Sequence, residues 1–353
     1  MPDVCRKSAE RSIGAIAAAG SRSVAPVLRA LVVTNMWPAP DAPARGSFVV
    51  DQVEALRRRD DVAVEVFSFD PGLRNYARAA RELRRRYRGM RFDVVHAHFG
   101  LTAWPALAAR LGPVVVTLHG NDLFHPRSNL ITRAALPFTA LPAAVSRAFS
   151  EFVPGAGRTR RVGVLPMGID LGRFRPIPRA EARDRLGLPA DEPCLLFPHD
   201  PARPLKRADR ARALAGDVRL LTMGRVPPAE VPYWHNAANA VLVPSQDEGF
   251  GLAVIEANAC DVPAFGTRVG IHPLALDGIP GALCADWDLS RWRAALAPHL
   301  ESPDPRAPGR RRAELFSADR MAARVVAAWK ALVADEGPAL PVGARGGPYP
   351  GLK

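Results

Sequence analysis

Cysteine is scarce in this chain, and its few copies stand apart. The four cysteines among 353 residues, Cys5, Cys194, Cys260 and Cys284, form no C-x-x-C pair. This spacing offers no disulfide framework and reads as free thiols in a reducing, cytoplasmic compartment. No His/Cys/Asp cluster has zinc-ligand spacing. His96 and His98 alternate on one strand face, but no third ligand stands with them. Long apolar runs are also missing, and none approaches the ~20 residues of a membrane span. The stretch 13–19, after Arg6, Lys7 and Arg11, is short and only weakly apolar, a mimic of a signal core at most. No G-x-G-x-x-G follows the first predicted strand, which excludes a plain dinucleotide-binding dehydrogenase. No helix-turn-helix, RNA-binding or zinc signature is present, so no nucleic-acid partner is expected.

Basic charge, by contrast, is abundant. The net charge is +13 and the isoelectric point about 10.6, with arginine dominant. Such a chain suits nucleic acid, anionic lipid or phosphorylated small molecules, although part of the excess follows from a composition rich in Ala, Arg and Pro. Hydrophobic residues make up 48% of the chain, ample for the two domains that its length suggests. Short apolar runs at 29–35, 62–67, 92–98 and 114–119 alternate with helical patterns at 46–59, 73–90 and 104–111. The second half repeats this style, with strands at 194–197, 218–222, 240–243 and 263–266 and a helix near 208–214. Strands alternating with helices predict a doubly wound parallel sheet in each half. Pro and charge interrupt the pattern over 176–193, and a further helix spans 318–333. In such sheets, ligands bind at the carboxyl ends of the strands, so the loops after strands carry the chemistry.

One loop stands out. The apolar run Val241-Leu242-Val243 leads through Pro244-Ser245 into Glu248-Gly249-Phe250-Gly251-Leu252, and an apolar helix containing Glu256 follows. A glycine loop before a helix N-terminus presents unpaired amides and a favourable dipole to an anion. Carboxylates beside such a site suit a ligand that is part phosphate and part polyol, as a nucleotide-sugar is.

The segment resembles the E-x7-E signature of retaining glycosyltransferases of the GT-B fold, family 4 (group 1). Ala237-Ala238-Asn239-Ala240 before the strand, Glu256-Ala257-Asn258-Ala259-Cys260-Asp261-Val262-Pro263-Ala264 after the loop, and Thr267-Arg268-Val269-Gly270 beyond extend the match. So do His119-Gly120-Asn121-Asp122 and Val164-Leu165-Pro166-Met167-Gly168-Ile169-Asp170. The chain departs from the family pattern at Met167, where an Asn is usual, and at the first loop, where one glycine, Gly46, replaces a pair.

The resemblance implies an α/β, GT-B architecture: two Rossmann-like doubly wound parallel-sheet domains facing a cleft. The expected divisions are a disordered leader over 1–28, an acceptor-side domain over 29–178, and a nucleotide-sugar domain over 179–312. A helix over 313–336 returns to the first domain, and a flexible tail covers 337–353. The implied catalytic residues are Glu248, His119 and Asp122. Arg203 and Lys206, closer together than the family's usual pair, would neutralise the donor diphosphate, with Phe250, Gly251 and Leu252 supplying amides. Gly46 would meet the donor pyrophosphate or the acceptor, or else merely precede a helix capped by Ser47. Glu256 would bind ribose hydroxyls, with Met223 and Gly224 near the base. His98 and Gly168 would lie on the acceptor side, while His96 reads as structural.

The expected reaction moves a sugar from a nucleotide-diphosphate sugar to a glycan or lipid-linked acceptor with retention, without metal or other cofactor. A sugar-nucleotide epimerase of similar fold is the nearer alternative, and a basic nucleic-acid-binding protein the alternative from another class. A glycoside hydrolase needs its two carboxyl groups opposed across the sugar, whereas Glu248 and Glu256 flank a helix end. Leu73, Tyr76, Ala80, Leu83, Tyr87 and Met90 form an apolar stripe on a helix whose remaining face is largely arginine. That face over 73–91 is either a solvated surface or a contact with an anionic membrane, which would place the protein peripherally on the inner face of the membrane.

Overall fold

The computed structural model describes residues 27–40, 42–157, 161–224 and 226–334. The tail expected over 337–353 lies outside them. So does the leader expected over 1–28, apart from Val27 and Leu28. Two parallel sheets organise the chain. The first contains β1 (Leu28–Thr34), β2 (Val62–Ser68), β3 (Val94–His98), β4 (Val114–Leu118), β5 (Leu141–Ala144) and β6 (Gly163–Val164), in the order β2-β1-β3-β4-β5-β6. The second contains β7 (Cys194–Phe197), β8 (Arg219–Thr222), β9 (Ala240–Val243), β10 (Ala264–Gly266) and β11 (Leu283–Cys284), in the order β11-β10-β9-β7-β8.

Each order reverses once. In the first sheet the chain leaves β1 to build β2 on one side, then returns to add β3 on the other. In the second, β8 and β9 flank β7 in the same way. These reversals open crevices at the carboxyl ends of β1 and β3, and of β7 and β9. Register aligns Thr34 with His98 in the first crevice, and Leu196 with Val241 in the second. The central strands are buried on both faces, which explains their nearly unbroken apolar sequences.

The sequence pattern misses β5, β6 and β11. Pro142 and two alanines conceal β5, although it pairs on both sides, while β6 and β11 have two residues each. The Arg-rich helix runs Leu73–Arg86 and stops short of Met90, because Tyr87 leaves the helix and Gly89 turns at φ 78°. Its apolar stripe is also narrower than expected. Ala79, Leu83 and Tyr87 are buried, but Leu73 is 82% exposed. The segment 176–193 is not merely a break: it holds a helix, Arg179–Leu186. Arg179 and Arg183 from this helix are buried and donate to the Ala238 and Ala237 carbonyls.

The last helix, Ala318–Val333, is capped by Ser317, whose hydroxyl accepts from the Arg320 amide. It packs Met321, Ala322, Val325, Val326 and Trp329 on the first sheet, against Ala30, Val94, Val115 and Leu141. Ion pairs from Arg58 to Asp319 (2.7 Å) and from Lys330 to Asp61 (2.8 Å) fasten both ends. These pairs are exposed and contribute little, so apolar burial dominates. Trp329 is fully buried, its ring edge-on to His96 at 5.5 Å. Trp329→Ala is expected to cost about 3–5 kcal/mol, read as a fall in the urea midpoint without a change in slope.

Candidate functional site

The site forms where the two crevices meet. The His119-Gly120 loop after β4 touches the Gly249 loop after β9. A side-chain carbon on Gly249 would fall 2.1 Å from the His119 carbonyl oxygen, and one on Gly120 would fall 3.4 Å from the Gly249 Cα. Gly251 then takes φ 105° and caps the helix Leu252–Ala259. No carbonyl or side chain among the described residues takes up the amide hydrogens of Phe250, Gly251 and Leu252. Ile271 donates to the Phe250 carbonyl at 2.8 Å and holds the loop from behind.

Glu248 is the electrostatic centre of this loop, with a side chain only 6% exposed. Its Oε2 lies 2.5 Å from Lys206 Nζ, and its Oε1 accepts from the Ser245 hydroxyl at 2.8 Å. His199 Nε2 stands 3.7 Å away. Burial alone would push the carboxyl up, but the Lys206 ammonium, His199 and His272 overturn this and bring it down to about 2. Glu248 is therefore an anion at neutral pH. His199 is lowered to about 3 by burial, against the pull of Glu248 and with the help of Lys206 and Arg203.

Across the contact, His119 packs its ring 4.9 Å from that of Phe48, at the start of the helix Ser47–Arg57. His98 lies behind it, with His98 Nδ1 3.1 Å from His119 Nε2. Burial holds the imidazoles of His96, His98 and His119 well below the usual histidine range. Asp122 is fully buried under the loop. Its carboxylate accepts from the amides of Gly100 (2.5 Å), Gly120 (3.1 Å) and His119. Burial raises it to about 6 although these donors pull the other way.

Glu256 sits one helical turn inside Leu252–Ala259, with Oε2 3.3 Å from His235 Nε2 and a side chain 19% exposed. Close by, Arg173 grips Asp51 with two bonds of 2.9 and 2.6 Å. Burial raises the Asp51 carboxyl despite that partner, and the negative charge of Glu256 adds to the rise. The pair ties the segment between the sheets to the first helix.

Several expectations change. Asp122 has no exposed surface and spends its oxygens on backbone amides, so it positions the His119 loop instead of touching a substrate. Gly168 packs against the last helix. A side chain there would meet the Ser317 carbonyl at 2.8 Å and Met321 at 2.9 Å, so this glycine admits the start of the last helix. His98 is 1% exposed and reaches the cleft only through His119. Ser47 is the first helical residue and not the cap. Gly46 occupies the cap position at φ 66°, pressed against the Met36 carbonyl.

The remaining expected residues fall around the same loops. Lys206 is buried beside Glu248, whereas Arg203 is exposed at the entry to the turn Pro204–Lys206. Met223 and Gly224 follow β8, and the Met223 amide is shared between the Phe197 and His199 carbonyls at 3.2 Å each. His235, His272, Gln52 and the Asp51–Arg173 pair carry no local sequence signal, and Ser245 marks only the opening of its loop. His272 is fully buried beneath Gly251, with Nδ1 at 2.8 Å from the Thr267 carbonyl. Among the described residues, no group of three or more His, Cys, Asp or Glu could hold a metal ion.

Gly249→Ala is expected to cost about 1–3 kcal/mol by overpacking and to raise the radius of gyration in small-angle scattering as the loops separate. Gly224→Ala, with open space around it, serves as the control and is expected to leave the melting temperature unchanged.

Comparison with known proteins agrees with this geometry. The Glycosyltransferase Family 4 model matches residues 29–173, and the Glycosyl transferases group 1 model matches 198–302. The D-inositol 3-phosphate glycosyltransferase of Actinosynnema mirum is 32% identical over 303 residues, covering 67% of this chain and 72% of its own. The protein of the same name from Segniliparus rotundus is 30% identical over 274 residues, 61% of this chain. The chain spans about three fifths of that relative's length, 60%. Among solved structures, sucrose-phosphate synthase from Thermosynechococcus elongatus superposes with a TM-score of 0.69 at 21% identity, covering 87% of this chain and 100% of that one. Anabaena HepE, solved with UDP-glucose, gives 0.63 at 16% identity, covering 84% and 98%. The chain has the GT-B fold and belongs to glycosyltransferase family 4, among the group 1 glycosyl transferases.

Proposed function

We propose that the protein transfers a sugar from a nucleoside-diphosphate sugar to an acceptor hydroxyl with retention at the anomeric carbon. The observation that carries this reading is the buried Glu248–Lys206 pair beside the open amides of Phe250, Gly251 and Leu252, facing His119 across the cleft. Lys206 and Arg203 neutralise the diphosphate, and the amides at the helix start bind its oxygens. Gly46, at the start of the helix that brings Phe48 to His119, meets the pyrophosphate or the acceptor from the first domain. Glu256 accepts from ribose hydroxyls, and the backbone at Met223 and Gly224 borders the base. Glu248, ionised at neutral pH, binds a sugar hydroxyl and favours positive charge at the anomeric carbon. His119 contacts the transferred sugar.

The bond from the anomeric carbon to the phosphate oxygen breaks as the bond to the acceptor oxygen forms on the same face. The acceptor proton passes to the departing phosphate oxygen. The protein's part is to position the reactants and stabilise charge. With two cations and a helix N-terminus on the diphosphate, the reaction needs no metal. HepE was solved with UDP-glucose, which supports a nucleotide-sugar donor here. The acceptor is a glycan or a lipid-linked species, and the name of the relatives adds a polyol phosphate to the acceptors worth assaying.

The supporting face for a lipid-linked acceptor is the helix Leu73–Arg86, where Arg74, Arg78, Arg81, Arg84, Arg85 and Arg86 are all exposed. We propose that this face rests on anionic lipid, keeping the protein peripheral at the inner surface of the membrane. No described helix is long and apolar enough to cross a membrane.

A thermal-shift panel of UDP-, GDP- and ADP-sugars tests the donor assignment. One of them is expected to stabilise the protein, and Glu256→Ala to weaken its binding about 10- to 100-fold through lost charge-assisted bonds. Stabilisation by none of them would defeat the assignment. Turnover is expected to survive EDTA and to fall about 10²–10³-fold in Glu248→Gln. For the membrane, sedimentation with anionic vesicles at low salt should carry the protein down and fade as salt rises. Failure to sediment at low salt removes the membrane from the proposal.

A further inference from the structure

A chain of buried polar groups runs from the first helix to the cleft and contains nothing ionised. Gln52, on the helix Ser47–Arg57, is 7% exposed, and its amide Nε2 lies 3.3 Å from His98 Nε2. His98 Nδ1 lies 3.1 Å from His119 Nε2. His119 Nδ1 is buried and has no partner among the described residues. His96 stacks on His98 at 4.5 Å but bonds sideways to the Thr117 hydroxyl at 2.7 Å, so it stands outside the chain.

With the Gln52 carboxamide turned so that Nε2 faces the ring, hydrogen-bond inventory gives the direction. An amide nitrogen only donates, so His98 Nε2 accepts from Gln52. A neutral imidazole carries one N–H, so the hydrogen of His98 sits on Nδ1 and is donated to His119 Nε2. The hydrogen of His119 is then left on Nδ1. Burial keeps both imidazoles neutral, so neither escapes the constraint by taking a second proton. We infer that Gln52 and His98 are positioning residues that lock His119 in the Nδ1–H tautomer, so that it meets the transferred group as a hydrogen-bond donor to a hydroxyl oxygen. The lock rests on the orientation of the Gln52 carboxamide, the spacing of the two rings and their burial, and its consequence for a sugar rests on the function proposed above.

The lock matters because a histidine with a free choice of tautomer is a donor only part of the time. Fixing the ring also keeps it from turning away: Phe48 packs on it at 4.9 Å, and Asp122 holds its backbone amide. The orienting partner of a functional imidazole is commonly a carboxylate or carbonyl that receives an N–H. Here the partner gives one, so the hydrogen is pushed to the far nitrogen.

The test is a long-range ¹H–¹⁵N correlation spectrum of the full chain with labelled histidine at neutral pH, assigned with His98→Phe and His119→Asn. The expected result is a hydrogen on Nδ1 and a bare Nε2 in both His98 and His119. In Gln52→Met, which keeps the bulk and removes the donor, the His119 nitrogens should move toward a mixture of tautomers. Affinity for the stabilising nucleotide-sugar should fall about five- to thirtyfold while that for the bare nucleoside diphosphate stays the same. A hydrogen on Nε2 of His119 in the unaltered protein overturns the inference and needs no variant to fold. An unchanged His119 tautomer in folded Gln52→Met also overturns it. The expected tautomer without binding of any nucleotide-sugar would sink the proposed function and leave the lock standing; the reversed tautomer with binding intact would do the opposite.

Discussion

Gly249 has no room for a side chain because the carbonyl of His119, from the other domain, stands where the Cβ would be. This backbone contact is the constraint on which the rest of the site depends. It brings the loop after β9 against the loop after β4, so that groups distant in sequence share one space. Glu248 precedes the contact, the open amides follow it, and His119 lies on its far side. Two glycines, Gly120 and Gly249, meet there: at Gly249 a larger residue would push the two loops apart, whereas Gly120 has ordinary contact room and is held to glycine by its φ of 131°. Gly270 supports the arrangement from behind. It turns at φ 55°, and a side chain on it would strike the Phe250 carbonyl and Glu248.

Bringing the loops together buries charge, and the surroundings compensate for it unevenly. Glu248 receives Lys206 and Ser245, so its anion is stable in a nearly dry place. His199 and His272, beside it, stay neutral because burial outweighs the attraction of one carboxylate. Among the described residues of these loops, Arg203, exposed at the rim, is a cation with no ion pair. A site whose inner charges cancel and whose outer cation is uncommitted is arranged to receive an anion from solvent, since a buried unpaired Lys206 would be costly before the anion arrived. On the first-domain side no cation is used: three backbone amides hold the Asp122 carboxylate, and the neutral histidines hold one another.

The fold was legible because parallel strands buried on both faces leave apolar runs with few polar interruptions, as β1, β3, β4, β7 and β9 do. Strands of two residues, and β5 with Pro142, leave no such trace. The loops of the site were legible where chemistry and glycine coincide, as in Glu248 to Leu252 and His119 to Asp122. What sequence could not show is which side of a loop a residue faces. Asp122 reads as a partner of His119, yet three amide bonds turn it inward. His98 reads as a neighbour of the cleft, but strand β3 ends one layer deeper. Gln52 and His235 lie on helices with no local motif, and only the packing of these helices brings them to His98 and Glu256. The Arg173–Asp51 pair joins positions 122 apart, a relation that no local pattern records.

Gly168 shows what separates a binding glycine from a packing glycine. Its motif resembles a ligand loop as much as that of Gly249 does, and both stand where a side chain would collide. The difference is in what stands opposite. Facing Gly249 is the other domain's loop, so the space saved belongs to the cleft. Facing Gly168 are the Ser317 carbonyl and Met321, so the space saved admits the last helix, which the Ile169 and Ala318 backbone bonds then secure. That helix covers the first sheet and ends its run over His96, directly behind the histidines of the site. The segment from Gly168 to Arg173 is therefore a joint: one end is clamped by the C-terminal helix and the other by Asp51 on the first helix, beside Glu256. The relative placement of the two crevices is set from this joint, and the Gly249 contact is where that placement is felt.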